Sequence, residues 1–275
     1  MTHRRRLLAT YGGYEGPLDI VPGAVVAYGQ RALSSAKRGT ALYTIRESGG
    51  DTTQSFSSDA STGEAPAAAV TTFLNGNDGF GTVWMDQGTA EANVLQATAN
   101  LQLEWLAGEV NTRPAFVWVG LDFKRMVSTA TFDWNGGAAT IFLVAKNNIQ
   151  VLADSALEYV DLQVGTNNWI SLSDNTGAVA GGAYTVDMSS YRVIDCICET
   201  GLKNYKSNGA NQTLDTDFDA DGPIANLEGL TMRVGKLSNE ASGGIAEVLM
   251  YAEILTDQQR SDIRSNIATY YGITL

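Results

Sequence analysis

The sequence predicts an all-β sandwich, and three observations support this fold class. Hydrophobic residues make up 44% of the 275 positions and charged residues only 17%, so the chain can bury a large core. The 29 glycines suit many strands joined by tight turns. Ten short runs are rich in β-branched and aromatic residues. These predicted strands cover residues 25–33, 41–48, 79–86, 115–122, 139–146, 169–174, 191–199, 202–207, 230–237 and 245–253.

Residues 1–22 are the first predicted element, an N-terminal arm ahead of a single domain at residues 23–275. The glycines and prolines of this segment are typical of loops. Arg4, Arg5 and Arg6 form a basic cluster in a chain whose net charge is −12. They are either a solvated tail or residues that dock on an acidic partner. The overall negative charge argues against nucleic-acid binding, which needs clustered lysine and arginine.

Two segments predict helices that pack on the strands. Residues 64–74 form the first, which stops at Asn75 and Gly76. In the second, Thr256 and Gln259 form a capping box, apolar residues recur four positions apart, and Gly272 ends the helix. One amphipathic helix at the C-terminus can cover a sandwich, whereas an α/β sheet requires helices between its strands.

The two cysteines, Cys196 and Cys198, lie two positions apart in a predicted strand. Such residues share one face and stand about 7 Å apart, which would strain a disulfide. We therefore expect both to be reduced packing residues of a protein made in a reducing cytoplasm. No run approaches the roughly 20 apolar residues of a membrane span, and the N-terminus does not resemble a secretory signal.

Residues 217–228 match the calcium-loop pattern D-x-D-x-D-G-x5-E at every specified position. The predicted oxygen ligands of a structural Ca²⁺ are Asp217, Asp219, Asp221, the Pro223 carbonyl and a bidentate Glu228. The flanking segments look like strands and not like the two helices of an EF-hand. An acidic, exposed loop that binds no metal is therefore the alternative interpretation.

The C-terminal third resembles the concanavalin A-like, laminin-G-like sandwich superfamily. The matching residues are Gly244, Ile245, Glu247, Val248, Tyr251, Leu255 and Thr256. The N-terminal half resembles, more specifically, related domains of tailed-phage structural proteins. The matching residues there are Ala27, Tyr28, Arg31, Leu33, Ile45, Arg46, Ser48, Trp84, Asp86, Gln87, Asn93 and Gln96. The resemblance implies a concanavalin A-like jelly-roll β-sandwich with an N-terminal arm and one C-terminal α-helix.

The phage resemblance also implies a role, that of a non-enzymatic structural protein on the surface of a virion. Such a protein decorates or cements the capsid or belongs to the tail, after synthesis in the cytoplasm of the bacterial host. The implied partners are other virion proteins, further copies of this chain in the particle and a glycan of the host surface. A free lectin or adhesin module is an alternative with the same binding chemistry.

A more distant resemblance is to the catalytic domain of arabinofuranosidase B, which makes a glycoside hydrolase the second alternative. A retaining glycosidase needs two carboxylates roughly 5 Å apart. Those enzymes place one carboxylate in a Gly-Asn-Ala-Glu stretch, which this chain lacks. Their other carboxylate follows an Ile-Gly-Gly turn, where this chain has Lys236, Leu237 and Ser238. We therefore expect no catalytic residues.

Aromatic side chains bind sugars by stacking on the apolar face of the ring. Trp134 lies beside a glycine-rich turn and is the first candidate, and Trp84 with Asp86 is the second. The alternative for the tryptophans is a place in the core. The alternative for Asp86 is structural and is favoured: Asp86 would cap a turn, and Gln87 would bond to backbone where the strand ends.

Overall fold

The computed structural model describes residues 13–119, 124–134, 138–147, 149–154, 159–164, 169–173, 179–183, 188–199, 202–207, 210–211, 227–235 and 242–275. The strands within these residues are β1 Val26–Gly29, β2 Ala41–Glu47, β3 Thr53–Ser57, β4 Gly79–Trp84, β5 Val94–Leu95, β6 Leu103–Val110, β7 Arg113–Trp118, β8 Arg125–Ser128, β9 Phe132–Trp134, β10 Ala139–Asn147, β11 Ile149–Asp154, β12 Tyr159–Val164, β13 Trp169–Ser173, β14 Val179–Ala183, β15 Arg192–Glu199, β16 Leu202–Ser207, β17 Ala210–Asn211, β18 Leu227–Gly235 and β19 Gly243–Tyr251. The α-helices are α1 Pro17–Ile20, α2 Ala67–Leu74 and α3 Asp257–Tyr271, and short 3-10 helices cover Ser35–Lys37 and Ala99–Leu101.

These strands form an all-β sandwich in which every described pairing is antiparallel. In one sheet β10 lies between β15 and β19, β16 pairs with β15, and β1 and β7 share the other side of β19. In the other sheet β4 pairs with β2 and β5, and the ladder continues through β8, β18, β11, β12, β13 and β14. The β6–β7 hairpin joins the two, because β6 pairs with β4 and β7 pairs with β19.

The main core lies between the two sheets. Tyr43 and Trp84 from one sheet are fully buried in the same cluster as Ile141 and Val248 from the other. Strand β19 is buried along its whole length, since the opposite sheet covers one face and α3 covers the other. A strand covered on both faces has a nearly continuous apolar sequence, which is what GGIAEVLMY shows.

A second core forms between the outer face of the β10–β19 sheet and the helices. Ile263, Ile267 and Tyr271 of α3 are fully buried with Phe142 and Leu249 of the sheet. The i, i+4 spacing of these helical residues places them on one face, which is the reason that the amphipathic segment packs here. The predicted amphipathic C-terminal helix is thereby confirmed.

The ends of α3 follow the sequence signals closely. The Thr256 and Gln259 side chains each bond to the backbone of the other residue, and Gly272 ends the helix in the left-handed region with φ of 63°. Below the helix, Arg260 and Arg264 both form ion pairs with Asp195 of β15, whose side chain is fully buried. One carboxylate therefore fixes two successive turns of α3 to the sheet.

The ten predicted strand runs all contain strands, although the boundaries shift by a few residues. The predicted helix at residues 64–74 begins three positions later, at Ala67. Pro66 explains the shift, because a residue that precedes proline is disfavoured in the helical region. Nine of the described strands lie outside the predicted runs, namely β3, β5, β6, β8, β9, β11, β12, β14 and β17. Strand β3 is an example. It is an edge strand with one buried residue, Phe56, and its sequence TQSFS has a loop-like composition.

Residues 13–22 pack against the sandwich. Helix α1 lies beside α3, Val21 belongs to the second core, and the Tyr251 hydroxyl donates to the Val21 carbonyl at 2.8 Å. Tyr14 donates a hydrogen bond to the Ala32 carbonyl. The rest of the predicted arm, including Arg4–Arg6, lies outside the described residues.

Two further expectations can be compared with the described part of the chain. Cys196 is fully buried on β15, and its thiol donates to the Ile141 carbonyl at 3.8 Å, in agreement with the predicted packing role. None of the helices in the described ranges has the length and apolar character that crossing a membrane requires.

Candidate functional site

The tryptophans proposed for sugar stacking are core residues. Trp84 and Trp134 are both 0% exposed. Their indole N–H groups donate to the Gly29 carbonyl at 3.0 Å and to the Ala138 carbonyl at 3.2 Å. A sugar cannot stack on a ring that has no accessible face, so the assignment of these two residues to glycan binding is corrected. The facing sheet covers both rings, and the residues beside each tryptophan in the sequence do not indicate this burial.

Asp86 is a buried hydrogen-bond acceptor for three backbone amides. Its Oδ1 accepts from the Ala27 N–H at 2.7 Å and from the Gly88 N–H at 2.8 Å, and its Oδ2 accepts from the Ala92 N–H at 2.8 Å. Burial raises the pKa of this carboxyl, and the three N–H donors oppose that rise. Asp86 therefore organises the loop after β4 and joins it to β1. It has the structural role that the sequence favoured.

Two neighbouring side chains, those of Gln87 and Asn93, also hold this loop in place through hydrogen bonds to the backbone. Gln87 accepts from the Leu33 N–H at 2.8 Å and donates to the Arg31 carbonyl at 2.9 Å. Asn93 accepts from the Asp86 N–H at 2.8 Å. Together with Trp84, these residues form what we call the Asp86 network, which connects the chain around β1 to the loop after β4. The residues that carry the phage resemblance here are thus joined by hydrogen bonds, and Trp84, Asp86 and Gln87 are buried whereas Asn93 is exposed.

The other two predicted sites fall largely outside the described residues. Of the calcium-loop ligands, Asp217, Asp219, Asp221 and Pro223 lie in the part that is not described. Glu228 is exposed at the start of β18. Within the described residues, no three His, Cys, Asp or Glu side chains are grouped as a metal site. The predicted docking residues Arg4–Arg6 also lie outside the described residues. The calcium site and the docking role of the arginines therefore stay predictions.

The described residues form a groove beside α3, which sequence reasoning missed. Its volume is about 520 Å³, and we call it the α3 groove. Helix α3 forms one wall, and the segment that begins at Gly13 forms part of another. The lining residues are Tyr14, Glu15, Ile20, Arg31, Glu64, Arg113, Asp262, Ser265, Asn266, Thr269 and Tyr270.

Arg31 is the buried base of the groove. Its guanidinium donates to both carboxylate oxygens of Glu247, at 3.0 and 3.3 Å, and to the Asn266 side-chain oxygen at 2.9 Å. Burial alone would lower the pKa of Arg31, but the Glu247 charge outweighs it and the pKa lies well above its usual range. Arg31 thus stays protonated. Because its positive charge is neutralised by Glu247, it does not attract an anionic ligand.

A β-bulge directs Glu247 into this position. The register between β10 and β19 shifts between Val144 and Ala145, which leaves Ala246 without an opposite residue. The extra residue turns Glu247 to the face that α3 covers, where Leu249 and Tyr251 also lie. The pairing of Arg31 with Glu247 therefore depends on a local irregularity of the sheet.

Tyr270 contacts two guanidinium groups. The Arg31 Cζ lies 4.2 Å from the ring centroid and the Arg113 Cζ lies 4.3 Å from it, both within cation–π range. Burial raises the pKa of the Tyr270 hydroxyl well above its usual range. Arg113 also forms an ion pair with Glu64 and donates to the Tyr270 carbonyl at 3.2 Å. Both arginines are thus already neutralised by carboxylates.

The remaining charges of the groove are negative. Glu15 and Asp262 are exposed residues of the lining, and no cationic side chain among the described residues forms a salt bridge with either. The Asp262 carboxylate accepts one hydrogen bond, from Gln258 at 2.8 Å. The groove is therefore a cavity with arginines fixed at its base and two free carboxylates at its rim. Its chemistry suits a cationic ligand better than an anionic one.

The buried carboxylates of the described residues all accept from defined partners. Glu47 accepts from the Gly49 and Gly50 amides of its own turn. Asp86, Asp195 and Glu247 accept from the backbone amides or arginines described above. Each of these carboxylates stabilises the fold at its own position, and its hydrogen bonds account for its burial.

Comparisons with known proteins support the fold. No protein-family model matches the sequence, and no curated protein matches it. A GH54 α-L-arabinofuranosidase soaked with a cyclic sulfate inhibitor is similar with a TM-score of 0.67 and 18% identity, over 92% of this chain and 64% of that one. An arabinofuranosidase complexed with arabinofuranosyl-α-1,2-xylobiose is similar with a TM-score of 0.68 and 17% identity, over the same shares.

This chain thus spans 64% of the length of the enzymes that it matches. At such identities the similarity shows the sandwich fold and does not extend to activity. The binding domain of botulinum neurotoxin serotype G is also similar, with a TM-score of 0.46 and 9% identity over 85% of this chain and 51% of that one. That similarity is too low to support an argument.

Proposed function

We propose that this protein is a non-enzymatic structural component of a tailed-phage particle. It is made in the cytoplasm of the bacterial host and incorporated at the particle surface, on the capsid or the tail. Its partners are other virion proteins and further copies of itself, and a bacterial glycan is a second ligand. The support is the sequence resemblance over the residues from Ala27 to Gln96, together with what those residues do in the fold.

The observation that carries this proposal is the Asp86 network. Asp86 and Gln87 are the polar residues of the phage-like motif that could have lined a sugar cleft. Their side chains instead bond to the backbone of Ala27, Arg31 and Leu33. A motif that is used to hold two segments together specifies a scaffold, and a scaffold acts through the surfaces that it presents.

Mass spectrometry of purified phage particles tests the proposal. We expect this chain in the particles at a fixed copy number, with hundreds of copies for a capsid component and a handful for a tail component. Arg4, Arg5 and Arg6 of the predicted arm are the predicted docking residues, so a chain that lacks only residues 1–12 should fold but no longer attach. The deletion stops at residue 12 because Val21 is part of the second core. A chain that is found only in the unassembled fraction would contradict the proposal.

An arabinofuranosidase-like hydrolase is the second candidate, because the sandwich resembles those enzymes over 92% of this chain. Turnover of 4-nitrophenyl α-L-arabinofuranoside by the purified protein decides between the two. We expect release of nitrophenol at the rate of the buffer blank. Release that increases with protein concentration would establish the hydrolase instead. The free lectin module is tested separately, by binding to a glycan array without association with particles.

A further inference from the structure

Two polar side-chain atoms at the end of the main core have no hydrogen-bond partner among the described residues. They are the Gln30 Nε2 and the Tyr43 hydroxyl, and both residues are 0% exposed. An unpaired buried donor or acceptor is costly, and buried polar groups of proteins are as a rule hydrogen-bonded to protein or to ordered water. These two atoms therefore require a partner that the surrounding side chains do not supply.

The two atoms lie beside the same tryptophan. The Trp105 indole N–H donates to the Gln30 Oε1 at 3.2 Å, so the Nε2 of the same amide is close to this ring. Exchanging the two ends of the amide would not satisfy Gln30, because Nε2 would then face the indole N–H, also a donor. The Tyr43 and Trp105 ring centroids are 6.3 Å apart. Burial raises the pKa of the Tyr43 hydroxyl and the Trp105 N–H lowers it, as expected for a hydroxyl near the indole nitrogen.

A third group borders this cluster. The Tyr270 hydroxyl oxygen is buried, and its charge would raise the pKa of Tyr43 further, so the two hydroxyls are neighbours. The Ala65 amide lies near the Tyr270 oxygen, but the hydroxyl hydrogen has no acceptor in the part of the chain that the structure describes. Tyr270 also lines the α3 groove, so the cluster lies only one side chain away from solvent.

We propose that Gln30, Tyr43 and Tyr270 bind one buried water molecule, which joins the residue after β1 to strand β2 and to the last turn of α3. The water accepts from an N–H of Gln30 and from one tyrosine hydroxyl, and it donates to the oxygen of the other. Three partners are the usual number for a buried water.

The charges of the cluster favour water over an ion. Gln30 is neutral, and burial raises the pKa of both tyrosines, so their hydroxyls stay protonated at neutral pH. A cation would find no anionic ligand among these three groups, and an anion would find no cationic one. The inference concerns how this end of the core is closed, and it does not depend on the proposed function.

A high-resolution crystal structure of the full-length protein tests the site directly. We expect a peak of electron density about 2.7–3.2 Å from both the Gln30 Nε2 and the Tyr43 oxygen. A direct hydrogen bond between these two side chains would overturn the proposal, and so would a map without a peak between them.

Tyr43→Phe provides an independent test, because it removes the hydroxyl and keeps the ring. If a water binds the hydroxyl, the variant loses a hydrogen bond and should be less stable. If the hydroxyl is unpaired, its removal should make the protein more stable. Tyr251→Phe is the matched control, since the Tyr251 hydroxyl is equally buried and donates to the Val21 carbonyl at 2.8 Å. We expect each variant to raise the equilibrium constant for unfolding about fivefold. An unchanged or smaller constant in Tyr43→Phe would overturn the proposal.

Tyr270→Phe tests whether the two tyrosines share the water. This substitution keeps the ring that contacts Arg31 and Arg113. If one water serves both hydroxyls, their effects are coupled, and the double variant should change the unfolding constant at least about twofold less than the product of the two single changes. A double variant that gives the full product would overturn the three-residue site.

Discussion

Asp86 provides the sharpest test of how the fold is held together, because its buried carboxylate accepts from three backbone amides. In Asp86→Ala the amides of Ala27, Gly88 and Ala92 lose their acceptor. A hydrogen bond to a charged group contributes roughly 1.5–3 kcal/mol. After allowance for the carboxylate that no longer has to be desolvated, we expect a loss of about 4 kcal/mol in the free energy of unfolding.

Asp86→Asn is the more informative variant. The amide oxygen can keep the bonds to Ala27 and Gly88, but the amide nitrogen replaces Oδ2 and faces the Ala92 N–H, also a donor. One unsatisfied buried donor costs about 1–3 kcal/mol, so we expect a loss of about 2 kcal/mol. The exposed acid of the same loop, Glu91, is the control, and Glu91→Gln should change stability by less than about 0.5 kcal/mol.

Urea unfolding followed by circular dichroism measures these differences, and hydrogen exchange locates them. The Ala27 and Ala92 amides should exchange faster in Asp86→Asn, while amides of β10 remain protected. If Asp86→Ala destabilises the protein no more than Glu91→Gln does, the structural role of Asp86 is wrong. A loss of glycan binding without a loss of stability would instead restore the sugar-cleft interpretation.

Three further outcomes are expected. Asp195→Asn breaks the buried pairing with two arginines of α3 and should lower the free energy of unfolding in urea by about 3–5 kcal/mol. Asp257→Asn, at a side chain that is 89% exposed, should lower it far less, and equal losses would contradict the role of the buried carboxylate. Burial raises the pKa of Tyr14 to about 12, so the folded state keeps a proton that the unfolded chain releases near pH 10, and the free energy of unfolding should fall as the pH rises from 10 to 12. In a pH series of unfolding experiments, Tyr14→Phe should make this decline smaller by about 2–3 kcal/mol. Isothermal titration with Ca²⁺ should release or absorb heat in the wild-type chain and none in Asp217→Ala with Glu228→Gln; a wild-type chain without heat would remove the calcium loop.

The elements that could be predicted are those whose signals are local. The capping box of Thr256 and Gln259 and the stop at Gly272 fixed both ends of α3, because they depend on atoms three or four residues apart. The edge strand at Thr53–Ser57 was missed for the opposite reason. Its sequence is polar, and only its pairing with β2 makes it a strand.

The burial of tryptophan side chains was less predictable. Trp134 lies next to a glycine-rich turn, which suggests exposure, yet it is fully enclosed. It pairs with Leu227 of β18, about ninety positions along the chain, and it shares the main core with Leu230 and Met232 of that strand. Whether an aromatic ring is open to a ligand is decided by such distant residues, and a single sequence does not show where they lie.

The sequence by itself determined the class of fold, because strand and helix periodicity, turns and caps are properties of neighbouring residues. Only the tertiary structure decided what the charged residues do. Arg31 and Glu247 lie 216 positions apart and meet because a bulge in β19 turns the carboxylate toward α3. The α3 groove likewise joins the first described residues to the last helix. Contacts of this range arise from how the sheets and helix pack, and local propensity has no information about them.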